Sequence, residues 1–221
     1  MGTKKGLFIT FDGIDHSGKS TQARMFLEKL KEKNIPVILI RDPGTTKISE
    51  KIRAILLDNE NEEMDPTTEL LLYEAARSQM VSETIKPILA TGKFVVCDRF
   101  FDSTTAYQGY GRGIDLELIK KANELGSKGL IPDLTFIIDI NVEEAEQRKL
   151  SEQTAKDRLE STNLDFKKRV REGFLTIGKT ETRAHIIKSA EEIQQTADKI
   201  WQIANSLLNF EEMKNGKSRP T

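Results

Sequence analysis

Residues 8–21 read FITFDGIDHSGKST, and within them Gly13, Gly18, Lys19 and Ser20 fall at the spacing G-x-x-x-x-G-K-S. Two glycines let main-chain N–H groups approach an anion without side-chain obstruction. A lysine adds positive charge, and a hydroxyl can ligate a hard cation. That combination spells a P-loop, in which Gly13, Ile14, Asp15, His16, Ser17, Gly18, Lys19, Ser20 and Thr21 would cradle a nucleoside triphosphate such as ATP. Lys19 is expected to reach the β- and γ-phosphates and Ser20 to hold Mg²⁺. The motif needs an apolar strand before it and an amphipathic helix after it. Leu7–Phe11 supplies the strand; Thr21–Lys33 supplies the helix, with Ala23, Phe26, Leu27 and Leu30 at helical spacing.

Three further stretches could carry chemistry. FVVCDR (94–99) is a buried strand ending in Asp98, at the edge where open α/β sheets bind ligands. Asp98 there could join Ser20 on Mg²⁺, and Arg99 offers a planar fork for phosphate oxygens, although an Asp–Arg pair can also simply cap a strand edge. In RDPGTT (41–46) the Pro43-Gly44 turn and a capping Thr45 or Thr46 explain the residues themselves; Arg53, further on, suits a phosphate contact and a solvated surface equally. In LLLYEAARSQM (70–80), Tyr73 and Arg77 stand four apart and so share a helix face. They suit core packing with a surface charge, or a base-binding pair that stacks and hydrogen-bonds a carbonyl. The segment 98–113, with four aromatics and three glycines, is expected to be a long functional loop.

The elements that must position these groups follow from periodicity. Short apolar runs at Leu7–Phe11, Val37–Ile40, Phe94–Cys97, Leu134–Ile138 and Ala184–Ile187 predict strands buried on both faces. Helices are predicted near 21–33, 48–57, 68–90, 116–125, 143–149, 166–175 and 191–208. Alternation of this kind implies an α/β fold: a doubly wound, five-stranded parallel sheet flanked by helices, spanning 1–210 as one domain. A polar lid is expected at about 148–163, and a frayed tail at 211–221. Cys97, the one cysteine, reads as a small buried hydrophobe, and His185 carries no evident role.

Composition narrows the partners. The 221 residues carry 34 basic and 35 acidic side chains, a formal charge of −1, so no global field draws the chain to nucleic acid or an anionic membrane. One cysteine excludes an internal disulfide, and two histidines leave no zinc cluster. With no signal peptide and no apolar run long enough to span a bilayer, a cytoplasmic location is expected.

Taken together, the P-loop, DPGTT, LLLYEAARSQ, the DR…S…AYQG…GRGID run, PDLTFIIDI (132–140) and DRLE (157–160) resemble, in order, the bacterial thymidylate kinases. The resemblance covers about Leu7 to Leu175. It implies transfer of the γ-phosphoryl group of Mg-ATP to dTMP, in a protein commonly homodimeric. It further implies that Asp15 faces the acceptor sugar, and that Arg99, with Arg53 in support, clamps the acceptor phosphate. Tyr73 would stack on thymine, Arg77 bond its 4-carbonyl, Thr104 and Gln108 contact the base edge, and Tyr107 lie under C2′.

Some positions depart from the family pattern. Asp12 stands where Glu is usual, Phe100 where Tyr is usual, and Tyr73 where Phe is commoner. Position 16, an arginine in some members, is His16, and the lid carries few arginines, which leaves Arg148 or Arg158 to reach the transferring group. A kinase for another nucleoside monophosphate, or a P-loop regulatory ATPase, are the competing expectations. No guanine-reading Asn-Lys-x-Asp element occurs to favour the latter.

Overall fold

A computed structural model describes residues 6–151, 158–159 and 162–208. The predicted strands form β1 (Phe8–Asp12), β2 (Val37–Arg41), β3 (Phe94–Asp98), β4 (Leu134–Asp139) and β5 (Ala184–Lys188), all parallel, in the order β2-β3-β1-β4-β5. Central β1 is buried along its whole length, as its largely apolar run implies, with Thr10 and Asp12 buried too. With β3 on one side of β1 and β4 on the other, the connections diverge at the carboxyl end of β1, where doubly wound sheets bind ligands.

Helices cover both faces. α1 (Lys19–Glu32) and α9 (Ile193–Leu208) pack on one, over Phe11, Phe26, Phe136 and the half-buried Trp201. α2 is Lys47–Leu57, capped by Thr46, whose hydroxyl accepts from the Ser49 N–H. α3 (Pro66–Met80) starts on an Asp65 cap, passes through a π turn at Val81–Ile85 and continues as α4 (Lys86–Ala90). The helix expected at 68–90 is therefore one helical run with a wider turn inside it. α6 is Leu116–Ser127, α7 Val142–Ser151 and α8 Leu164–Thr180. Among the described residues no helix is long and apolar enough to cross a membrane.

The segment 98–113 differs from the expected loop. It folds as α5 (Phe101–Thr104) running into a π-helical segment at Thr105–Gly111. Its glycines lower helix propensity, but tertiary packing overrides that cost. A Cβ at Gly111 would lie 2.7 Å from the Phe166 ring, and one at Gly173 of α8 would lie 2.8 Å from Tyr110. Small residues on both sides thus let α8 close directly onto the π segment. Residues 152–157 and 160–161 of the lid expected at 148–163 lie outside those described, as does the whole 211–221 tail.

Candidate active site

The glycines of the P-loop are required by geometry. Gly13 has φ +139°, and a Cβ there would come within 2.4 Å of the Ile138 carbonyl oxygen. Gly18 has φ +90° and caps α1 without any side chain, so the first-turn N–H groups stay available to an anion. They open onto a cleft of 640 Å³, lined by Asp15 through Thr21 together with Arg24, Asp98, Arg99 and Arg148. Ile14 faces the opposite way, into the core beneath α8, and Gly13 contributes its carbonyl to Arg99 instead of lining the cleft. Lys19 is almost buried, with Nζ 3.6 Å from Asp15 Oδ1 and donating to the Ile14 carbonyl at 3.4 Å. Burial, then Arg99, lowers its pKa against the opposing pull of Asp15, Asp98 and Asp12.

Ser20 and Asp98 both line this cleft, and Asp98 Oδ1 is buried with no hydrogen-bond partner among the described residues. An unsatisfied carboxylate oxygen in a cleft that also holds a hydroxyl-bearing residue fits Mg²⁺, which takes few protein ligands and completes its shell with water and phosphate. No cluster of three or more His, Cys, Asp or Glu side chains that could hold a metal occurs among the described residues. Cys97, one residue earlier on β3, is fully buried, donates to the Arg99 carbonyl at 2.9 Å and has its pKa pushed well up by burial.

Arg99 is the best-determined group in the site. Its backbone adopts φ +70°, a strained value for a side-chain-bearing residue. Nη1 donates to the Gly13 carbonyl at 2.8 Å and Ser103 Oγ at 2.9 Å; Nη2 donates to Asp15 Oδ1 at 2.5 Å and the Tyr107 hydroxyl at 3.1 Å. Tyr107 donates in turn to Asp15 Oδ2 at 2.8 Å. Burial opposes ionisation of Asp15, but Arg99 and then Lys19 hold its carboxyl well below the usual carboxylate range. Ser103 also donates to Asp12 Oδ1 at 2.6 Å, and burial, then the Asp102 charge, pushes the Asp12 pKa up to about 7.

Beyond Arg99 lies a second cavity, of 80 Å³, lined by Tyr73, Arg77, Thr104, Tyr107, Gln108 and Leu159. The two cavities share Asp15, Asp42, Arg53 and Arg99. Arg53 donates to the Pro43 carbonyl at 3.0 Å and faces both spaces, so the structure sets it in the site and not in bulk solvent. Arg77 is 1% exposed, and three of its donors are engaged: Nε to Asp42 Oδ2 at 2.6 Å, Nη1 to Glu74, and Nη2 to Thr104 Oγ1 at 2.9 Å. The guanidinium also lies over the Phe100 ring at 5.4 Å. The surface charge that one-face spacing allowed for Arg77 is thus a buried one. Burial raises the pKa values of Asp42 and Glu74, with Arg77 pulling against it.

The two lid candidates separate. Arg148 lines the triphosphate cleft, with Nη2 2.8 Å from Glu144 and 3.3 Å from Ser189 Oγ. Arg158 does not reach that cleft. It is buried, its Nε donates to the Leu56 carbonyl at 2.9 Å, its N–H to the Leu57 carbonyl at 3.3 Å, and its Nη2 lies 2.6 Å from Glu69 Oε2. Arg158 therefore sits at the end of α2 against a buried carboxylate, apart from the cleft where the transferring group was expected to meet it. His16, at φ +60°, lines both the cleft and a small cavity beneath α7 with Glu146 and Lys149. Sequence reasoning missed Ser189, Ala190 and Glu191, which line the cleft from the turn after β5, because a polar turn carries no motif.

Two cavities that meet at one clamped arginine are what phosphoryl transfer between two nucleotides needs, and the sheet beneath them is that of the P-loop kinases. The family model described as thymidylate kinase matches residues 11–200. Similar curated proteins include the thymidylate kinase of Caldanaerobacter subterraneus subsp. tengcongensis, 47% identical over 79% of this chain and 83% of its own. That of Pelodictyon phaeoclathratiforme is 44% identical over 81% and 86%. A crystal structure of thymidylate kinase from Ehrlichia chaffeensis superposes with a TM-score of 0.74 at 37% identity, over 91% of this chain and 99% of that one. The chain belongs to the thymidylate kinase family.

Proposed function

We propose that the protein transfers the γ-phosphoryl group of ATP to the 5′-phosphate of dTMP, giving dTDP and ADP for dTTP synthesis. One observation carries this reading beyond family membership: the wall shared by the two cavities, with Arg53 and Arg99 in it. ATP fits the larger cleft, its phosphates against Lys19 and the α1 terminus. The smaller cavity is too small for a whole nucleotide, so only the base end of dTMP enters it. Its phosphate then lies in the shared space, in line with the γ-phosphate.

Each group has a role of its own. Tyr73 supplies a stacking surface, Arg77 and Thr104 polar contacts, and Gln108 a hydrogen bond at the base edge. Asp15 orients Arg99 and faces the acceptor sugar, while Tyr107 crowds C2′. Lys19, Arg99 and Arg148 supply the positive charge that two phosphate anions need to approach; positioning and electrostatics then do the chemistry. The acceptor oxygen is already largely ionised near neutral pH, so no general base is needed. Mg²⁺, held by Ser20 and Asp98, would neutralise charge on the phosphate oxygens. The single sheet supports one kinase domain over 1–210; family membership supports a cytoplasmic homodimer.

An acceptor panel of dTMP, dUMP, dCMP, dGMP and AMP with Mg-ATP tests the reading. ADP release should be fastest with dTMP, at about 1–100 s⁻¹. Background rates with dTMP, alongside good use of another monophosphate, would sink it. In the same assay Tyr107→Ala should narrow the preference for deoxyribo- over ribonucleotide acceptors, and an unchanged preference removes the role assigned to that ring.

A further inference from the structure

Gln108 sits in the π segment, 1% exposed, on the wall of the smaller cavity. Its amide Nε2 donates to Glu69 Oε1 at 2.7 Å. Glu69 is fully buried on the first turn of α3, flanked by two arginines. Arg112 donates to it from Nε at 3.1 Å and Nη2 at 2.8 Å, and Arg158 Nη2 lies 2.6 Å from its Oε2. Burial opposes ionisation, but the hydrogen bonds from Arg112 and Gln108 bring the Glu69 pKa below its ordinary value. An ionised carboxylate only accepts, so the amide nitrogen of Gln108 has to face it. The carbonyl Oε1 is then turned away from Glu69, and no described residue donates to it.

We propose that Glu69 is a specificity-positioning residue: it fixes the amide of Gln108 so that the cavity presents a hydrogen-bond acceptor to N3 of the incoming base. This rests on the dTMP kinase reading above. Thymine and uracil carry N3–H and can donate to Oε1. Cytosine carries a lone pair at N3, which would meet Oε1 acceptor to acceptor. A glutamine free to turn over would present its NH₂ to cytosine instead and erase that distinction. Glu69 removes the freedom without touching substrate, and Arg112 and Arg158 keep it charged. Discrimination of this kind is built by leaving the wrong ligand's polar atom unpaired.

The test compares kcat/KM for dTMP, dUMP and dCMP in the wild type, Glu69→Gln and Glu69→Asp. If the wild type does not use dTMP, the functional reading fails, and this inference with it. If the wild type uses dTMP and dCMP equally, the inference alone fails. Otherwise Glu69→Gln should lower the dTMP/dCMP ratio about tenfold or more, the scale of one hydrogen bond gained or lost. General damage to the fold slows every acceptor alike and cancels in the ratio. Glu69→Asp retains the charge for both arginines but draws the acceptor back from Nε2; it should shift the ratio the same way and stands in if Glu69→Gln does not fold. An unchanged ratio in a folded variant overturns the proposal.

Discussion

Replacing Arg99 by alanine should lower kcat for dTMP phosphorylation on the order of 10³-fold while leaving a folded protein. The expectation follows from where the guanidinium is held. Four acceptors fix it: the Gly13 carbonyl, Ser103 Oγ, Asp15 Oδ1 and the Tyr107 hydroxyl. They place it in the wall common to both cavities, so it meets the transferring group with little reorganisation. Asp15, partly exposed and still beside Lys19 and Tyr107, is not stranded by the loss, which keeps the stability cost small. Arg99→Lys should also be impaired, because an ammonium cannot reproduce the fork that spans Gly13 and Asp15. Arg99→Gly separates strain from chemistry. Glycine adopts φ +70° freely, so this variant should melt no lower than Arg99→Ala while being just as inactive. Steady-state kinetics and thermal denaturation together check the set, and near-wild-type turnover in Arg99→Ala would remove Arg99 from the mechanism.

How legible the molecule was depends on whether a feature is local. The P-loop, β1 and α1 were readable because the chemistry, the apolar run and the helical period all lie between Phe8 and Glu32. The π segment at 105–111 was not, because its glycines and aromatics look loop-like until α8 supplies the surface they pack on. Arg77 shows the intermediate case. Its spacing from Tyr73 put both on one helix face, and the two line the same cavity. Asp42, 35 positions away and just past the end of β2, was not visible as a partner, so the buried charge pair was missed. The surroundings of Arg158 were hidden for the same reason: its partners, Leu56, Leu57 and Glu69, are brought to it only by the packing of α2 against α3.

The buried charges around Arg77 give the largest expected effect on stability. Arg77→Met should destabilise the protein by about 3–5 kcal/mol, because it removes one partner of a buried pair and leaves the others uncompensated. Methionine preserves much of the volume and the contact with Phe100, so the loss reports charge more than cavity. For a chain this long, the melting temperature should fall by roughly 10 °C. The deficit should also depend on pH. Asp42 and Glu74 already have raised pKa values through burial, and the loss of Arg77 removes the main pull in the other direction. In the variant the folded state then holds protons that the unfolded state releases above about pH 4. Stability falls with pH wherever the folded state binds more protons, so the deficit should be smaller near pH 5 and grow towards pH 8. Denaturant titrations of both proteins across that range check it. A deficit independent of pH would mean the two carboxylates find other compensation, and the role of Arg77 as their counter-charge would be lost.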